Sequence, residues 1–390
     1  MSKEVARCGQ PWSSMSLTDP PSQGTIEVSL FGPGIGEACL IHAGAGDWLV
    51  IDSCSDGFSG VNAVLSYFER IGVDPSKTIR VIVATHAHDD HISGISDLVE
   101  ICPDADFVAP AALNTDQFFS LLAADSEASL LNLSVYSEFR RINALFSPRR
   151  GDGRYRFALE GRVIWRRLAR DTWPSAELRA LSPSDLAFRL AVERLGLMLT
   201  PEAASRNRIR GDPNELTVAL WVTCGEQALL LGGDLLRGPG ADCGWNGVLS
   251  SSTLPDERAG VYKVPHHGAP NADHEDVWRL MLSDDVIAIL APYHRGARPR
   301  PDEEDRQRIA NRASGSYITA PPKDFIPNRL RASTAELSEM GKRASVEAGE
   351  PGQIRLRRQI DAGEGWNVEL DPPAQELVQQ EARPRKRGRR

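Results

Sequence analysis

The chain has 390 residues, 41% of them hydrophobic and 25% charged, enough apolar material for one large or two smaller packed domains. Its 45 basic and 53 acidic residues give a formal net charge of −8, which argues against a protein that simply coats nucleic acid or an anionic membrane. No apolar run approaches the roughly 18 residues of a membrane span. The six scattered cysteines form no CxxC pair, so a disulfide framework or zinc ribbon is disfavoured and a reduced, cytoplasmic setting is expected.

Residues 1–23 read as a flexible arm, polar and rich in Ser and Pro, without the apolar core of a signal peptide. Short β-type runs follow at 26–31, 38–43 and 48–51, separated by the Gly-rich turns Gly32-Pro33-Gly34-Ile35-Gly36 and Gly44-Ala45-Gly46-Asp47. Apolar residues at Val61, Val64, Leu65, Phe68 and Ile71 have helical spacing. The β-branched run 79–84 predicts a strand buried on both faces, and it leads directly into Thr85-His86-Ala87-His88-Asp89-Asp90-His91. A helix over 92–102 and a short strand over 106–109 follow. Residues 113–210 read as a mainly helical, Arg-rich insertion. Strand character returns at 216–223 and 228–231, ahead of Gly232-Gly233-Asp234, and again at 260–265, ahead of His266-His267-Gly268. A helix over 277–282, a buried strand over 286–291, a helix over 301–311 and a strand over 316–319 complete the pattern. The Pro-, Gly- and charge-rich extension 321–390 has room for one hairpin (353–360 with 365–370).

The charge is uneven. Residues 383–390 carry six Lys or Arg and no acid, and 138–212 carry sixteen Arg, no Lys and nine acids. An acidic body thus carries two basic pieces, and either could draw a polyanion toward it; taken alone, such runs are more often solvated surface. Batches of strands followed by helices fit a layered α/β sandwich better than a doubly wound sheet. The Gly32–Gly36 turn lies between two strands rather than opening a helix, so a dinucleotide-binding reading fails on context.

The sharpest chemical signal is His86-x-His88-x-Asp90-His91, four ligand-type side chains within six residues directly after a buried strand. An extended His-x-His points both imidazoles to one side, and the turn that follows can aim Asp90 and His91 at an adjacent position, which makes two neighbouring cation sites. Asp234 follows a hairpin and the pair Gly232-Gly233, where a turn Asp is also ordinary. His42 and His274 read as structural or surface residues.

The stretch Thr85–Gly94, THAHDDHISG, resembles the HxHxDH motif of the metallo-β-lactamase fold hydrolases, and the likeness extends over most of residues 25–320. The resemblance implies a four-layered αββα sandwich over 24–320, with 113–210 as an insertion. It implies metal ligands at His86, His88, Asp90, His91, Asp234 and His266, with Asp52 supporting the metal loop. Lys263-Val264-Pro265-His266-His267-Gly268 and the 31–38 segment resemble, more narrowly, the branch typified by the C-terminal domain of the DNA-uptake protein ComEC. That implies a phosphodiesterase or nuclease in which Lys263 stabilises charge and His267 donates a proton near the scissile phosphate. Three departures stand out. No histidine lies between His91 and His266, Ala269 replaces the expected Ser, and Arg298-Pro299-Arg300-Pro301 replaces an expected GHP motif. His294 is therefore a candidate extra ligand or substrate contact.

The expected chemistry is attack by a hydroxide activated on two divalent ions, zinc or manganese, with single-metal occupancy left open and Asp90 orienting the nucleophile. A nucleic acid or other phosphodiester is the expected substrate, in an antiphage or DNA-processing system, with no membrane partner and with protein partners unspecified. Two alternatives stay open: hydrolysis of small esters, lactones, thioesters or amides on the same centre, and a degenerate site that serves as a partner-binding module.

Overall fold

Alternation along the first strand decides its two faces. In β1 (Thr25–Gly32), Ile26, Val28 and Leu30 enter the layer between two sheets, while Phe31 lies on the opposite face with the helix Ala63–Arg70. All eight residues are buried, so both faces of this sheet are covered. The computed structural model describes residues 17–33, 35–57, 59–114, 118, 134–149, 151–170, 173–198, 212–294, 299–322, 351–360 and 365–378.

The first sheet continues through β2 (Ile35–Ala43), β3 (Trp48–Ser55), β4 (Ile79–Val83), β5 (Asp106–Pro110) and β6 (Tyr155–Ala158). The second is built from β7 (Val163–Arg167), β8 (Ala176–Ala180), β9 (Leu220–Cys224), β10 (Gln227–Leu231), β11 (Ala259–Lys263), β12 (Leu282–Leu290) and β13 (Gly315–Ile318). The C-terminal strands divide: β14 (Gly352–Gln359) and β15 (Asn367–Asp371) extend the first sheet, and β16 (Gln375–Glu376) extends the second. The strand orders are β15-β14-β1-β2-β3-β4-β5-β6 and β16-β13-β12-β11-β10-β9-β8-β7. Each sheet is parallel over one half, β3 to β6 and β10 to β13, and antiparallel over the rest.

Three apolar clusters define the layers. One fills the space between the sheets, one lies under the helices Ala63–Arg70, Ile95–Ile101 and Ser134–Phe146, and one lies under Gly244–Ser250, Glu275–Leu280 and Glu303–Ala310. This is the αββα sandwich the sequence predicts. The segment 113–210 differs from expectation. It holds helices at Ser134–Phe146 and Asp185–Met198, but β6, β7 and β8 lie between them and complete both sheets. Those strands escape sequence reading because they are only four or five residues long and carry charges, Arg156, Arg166, Arg167, Glu177 and Arg179, among their apolar residues. The hairpin expected near 353–370 is present, and it is sheet structure, paired to β1 along the whole length of that strand. Residues 1–16 of the N-terminal arm, 119–133 and 199–211 of the insertion, Arg298 and the basic tail 383–390 lie outside the described residues.

Candidate metal centre

The site lies at the ends of β2, β3 and β4 of the first sheet and of β10 and β11 of the second. Asp52, near the end of β3, has a φ of 63°, a left-handed conformation that L-residues rarely adopt. Its carboxylate accepts from the Thr85 backbone N–H and from Thr85 Oγ1, both at 2.7 Å, and from His91 Nδ1 at 2.7 Å. Asp52 thereby ties both ends of the loop that follows β4. A carboxylate on Nδ1 fixes the tautomer and aim of a ligating imidazole, so His91 presents Nε2 inward. That Nε2 is buried, 3.4 Å from Asp234 Oδ1, and makes no hydrogen bond.

Two donor groups result. His86, His91 and Asp234 bring ligand atoms within 4.8 Å of one another, and so do Asp90, His91 and His267. Asp234 also faces the second group, with Oδ2 3.7 Å from His267 Nε2, and Asp90 Oδ2 is 3.4 Å from the same nitrogen. His88 is adjacent, its Nδ1 3.0 Å from His86 Nε2. An inward, unpartnered His91 nitrogen beside carboxylates and further imidazoles is a donor set that suits a borderline divalent cation such as Zn²⁺ or Mn²⁺.

Charge follows burial and neighbours. Burial, helped by the nearby His91 charge, holds His86 neutral, well below the ordinary imidazole range. Burial also opposes charge on His91 and His267, but carboxylates outweigh it. Asp234 and Asp52 hold His91 well above the usual range, and Asp234, Asp90 and Glu37 raise His267. Asp234 is fully buried, yet His91 and His267 keep it ionised. Two carboxylates aimed at two imidazoles thus hold protons where a cation would sit.

The paired histidines exchange the roles expected of them. His266 and His267 have φ of 49° and 54°, and Gly268 follows in the same left-handed region. This turn sends His267 inward, buried, with its Nδ1–H donating to Ala291 O at 3.0 Å and Tyr293 stacked on its ring at 5.2 Å. His267, rather than His266, therefore joins the second donor group. His266 meets Asp234 only through its backbone N–H, at 3.2 Å, and its side-chain Nδ1 has no hydrogen-bond partner.

Lys263 is not a free cation facing a substrate. It is buried, ion-paired with Glu37, and donates to Gly233 O at 2.8 Å. His294 turns away to Pro321 O at 3.0 Å, and is in neither donor group. His42 is structural: it is buried, held at about 4 by burial, with Nδ1 on Thr25 O and Nε2 accepting from Gly46 N–H. His274 caps the helix Glu275–Leu280. Sequence reasoning misses Glu37 and Tyr293. The available signal for Glu37 is a charged residue among the apolar positions Cys39, Ile41 and Ala43 of one strand face. For Tyr293 there is none beyond its adjacency to His294.

A two-sheet sandwich covered by helices on both outer faces, with His and Asp donors gathered at one end of the strands, defines a metallo-β-lactamase fold. Residues 31–120 match the family described as the Metallo-beta-lactamase superfamily. No curated protein matches the chain. Among solved structures it is similar to the hydrolase AbOPH of the beta lactamase superfamily, at 16% identity and a TM-score of 0.30 over 53% of this chain, and it spans 58% of that one. It is similar to the metallo-beta-lactamase fold protein YhfI from Bacillus subtilis, at 12% identity and a TM-score of 0.37, over 76% of this chain and 96% of that one. It is also similar to the metallo-beta-lactamase SMB-1, at 15% identity and a TM-score of 0.31, over 76% and 88%. No helix among the described residues is long and apolar enough to cross a membrane.

Proposed function

We propose that the chain hydrolyses phosphodiesters at a centre of two divalent cations. One observation carries the reading: the Asp234 carboxylate faces both donor groups, His91 Nε2 on one side and His267 Nε2 on the other. A shared carboxylate of this kind fixes the separation of two cations. His86, His88 and His91 with Asp234 would hold one, and Asp90, His267 and Asp234 the other. A single filled site remains workable with the same residues. Bound there, divalent cations lower the pKa of water and polarise a phosphoryl oxygen.

The chain's own groups supply the rest. Asp52 holds His91 and Thr85 in place, and Ala291 O and Tyr293 fix the plane of His267. Asp90 faces the second group and would orient the attacking water. His266, half-buried, kept mostly neutral by burial and unpartnered at Nδ1, is placed to move a proton at the leaving group. This gives His266 the proton-handling task and His267 the ligand task. The likeness of residues 31–38 and 263–268 to the DNA-uptake branch supports a nucleic acid as the phosphodiester, within a cytoplasmic DNA-processing or antiphage system.

A second reading has one observation in its favour. Among the described residues, eight arginines of 138–212 are ion-paired, including Arg141 with Asp97 and Glu100, Arg156 with Asp106, Arg167 with Asp47 and Arg194 with Glu215. They neutralise carboxylates of the protein rather than stand ready for a polyanion, which suits a small ester, lactone or thioester. A substrate panel separates the two: single- and double-stranded DNA, RNA, a generic aryl phosphodiester, an aryl ester and a lactone, each with Mn²⁺ or Zn²⁺. Cleavage of the phosphodiesters, lost in His88→Ala and Asp234→Asn, supports the first reading. Ester or lactone turnover without phosphodiester cleavage overturns it.

A further inference from the structure

Two positions of the apolar layer between the sheets carry charge. On β2 the residues sharing the face of Glu37 are Cys39, Ile41 and Ala43, and on β11 Lys263 shares its face with Val261. Glu37 and Lys263 meet across the layer as an ion pair, each 3% exposed. Neither can touch a substrate in solvent. Both reach the donor groups from below. Lys263 Nζ lies 3.8 Å from Asp234 Oδ1 and holds the carbonyl of Gly233, the residue before it. Glu37 Oε1 is 3.8 Å from His91 Nδ1, and Oε2, which has no hydrogen-bond partner, is 3.7 Å from His267 Nδ1.

The backbone is committed to this approach as well. Gly36 has a φ of 104°, and a Cβ there would lie 2.4 Å from Asp90 O, so β2 passes directly under the metal loop. Three buried carboxylates, Glu37, Asp234 and Asp52, thus lie around one fixed ammonium. At such separations and in a poorly hydrated site, one charge more or less changes cation binding strongly.

We propose that Glu37 and Lys263 are positioning residues that set the charge and the place of Asp234, and through it the affinity of the centre for divalent cations. The inference rests on the metal-centre reading above. A charge device and a mere structural bolt give different signatures. Neutralising Glu37 removes a negative charge, whereas neutralising Lys263 removes a positive one, so the two single substitutions act on affinity in opposite directions.

The test uses the full-length protein, stripped with chelator and dialysed at fixed pH against graded Mn²⁺, with bound metal read by elemental analysis. Glu37→Gln should weaken Mn²⁺ binding about tenfold and Lys263→Met should tighten it about tenfold. The double substitution should return within about threefold of the unsubstituted protein, and Glu37→Asp, which keeps the charge, should do the same. Melting temperatures of the metal-free proteins should fall in both singles and recover partly in the double. Both singles shifting affinity the same way, or a double that stays displaced, overturns the proposal. Should Lys263→Met fail to fold, equal losses in Glu37→Gln and Glu37→Asp overturn it, and a loss confined to Glu37→Gln supports it. If the unsubstituted protein takes up no Mn²⁺, the metal-centre reading fails and the charge assignment falls with it. Recovery of the metal-free double would then show only that the two charges are coupled in the unsubstituted protein.

Discussion

The two sheets contribute to the site in different ways. The first delivers His86, His88, Asp90 and His91 from one short loop, anchored at both ends by the single side chain of Asp52. The second delivers isolated residues from successive strand ends: Asp234 after β10, Lys263 at the end of β11, and His266 and His267 just beyond it. One side is a preassembled unit whose internal geometry depends on a local hydrogen-bond set. The other depends on sheet register, because Asp234 and His267 are brought together by the parallel pairing of β10 with β11. Both sides hold residues in the left-handed region, Asp52 on one and the histidine pair on the other, as expected where packing must override backbone preference.

Substitutions can break that contrast. Asp234→Asn strikes the residue both donor groups face, so both cations should be lost in elemental analysis, with hydrolysis falling about 10²–10³-fold. Asp52→Asn leaves every proposed ligand in place but loosens the loop. Divalent-cation affinity should fall about 10–100-fold, with the larger loss at the group containing His86. Lowering pH tests the two sides together. Because His91 and His267 carry raised pKa values in the cation-free protein, uptake must displace protons. Affinity should therefore rise with pH, by up to about tenfold per unit for each proton released, and calorimetry in buffers of different ionisation heat would count them. Gly36→Ala places a methyl group against the metal loop at a φ unsuited to alanine. A loss of about 1–3 kcal/mol is expected in denaturant unfolding. His294→Ala should be the mildest change, leaving bound metal unaltered, since that ring contacts Pro321 O instead.

The first sheet's contribution is legible in the sequence because its ligands are consecutive and follow a β-branched strand. Asp234 is legible for a similar reason, standing at the turn after a clear hairpin. The division of labour between His266 and His267 is not, since two adjacent histidines in a left-handed turn can be aimed either way and only packing against Ala291 and Tyr293 decides. Lys263 reads as a substrate-facing cation until its partner is known, and Glu37 lies more than two hundred residues away in the chain. The sandwich is legible from strand batches, whereas β6 to β8 are hidden by arginines whose partners, such as Asp47 and Asp106, belong to other strands and turns.

The pairing of β14 with β1 ties the first strand of the sandwich to one made more than three hundred residues later. Until that segment leaves the ribosome, β1 has a bare edge, and Glu27 waits for the guanidinium of Arg357, 2.7 Å away in the finished fold. A nascent chain that already contains every proposed metal ligand is therefore still an open sheet, with an unpaired row of N–H and C=O groups exposed to other chains. In order of synthesis the proposed ligands, through His267, all precede the strand that covers the β1 edge.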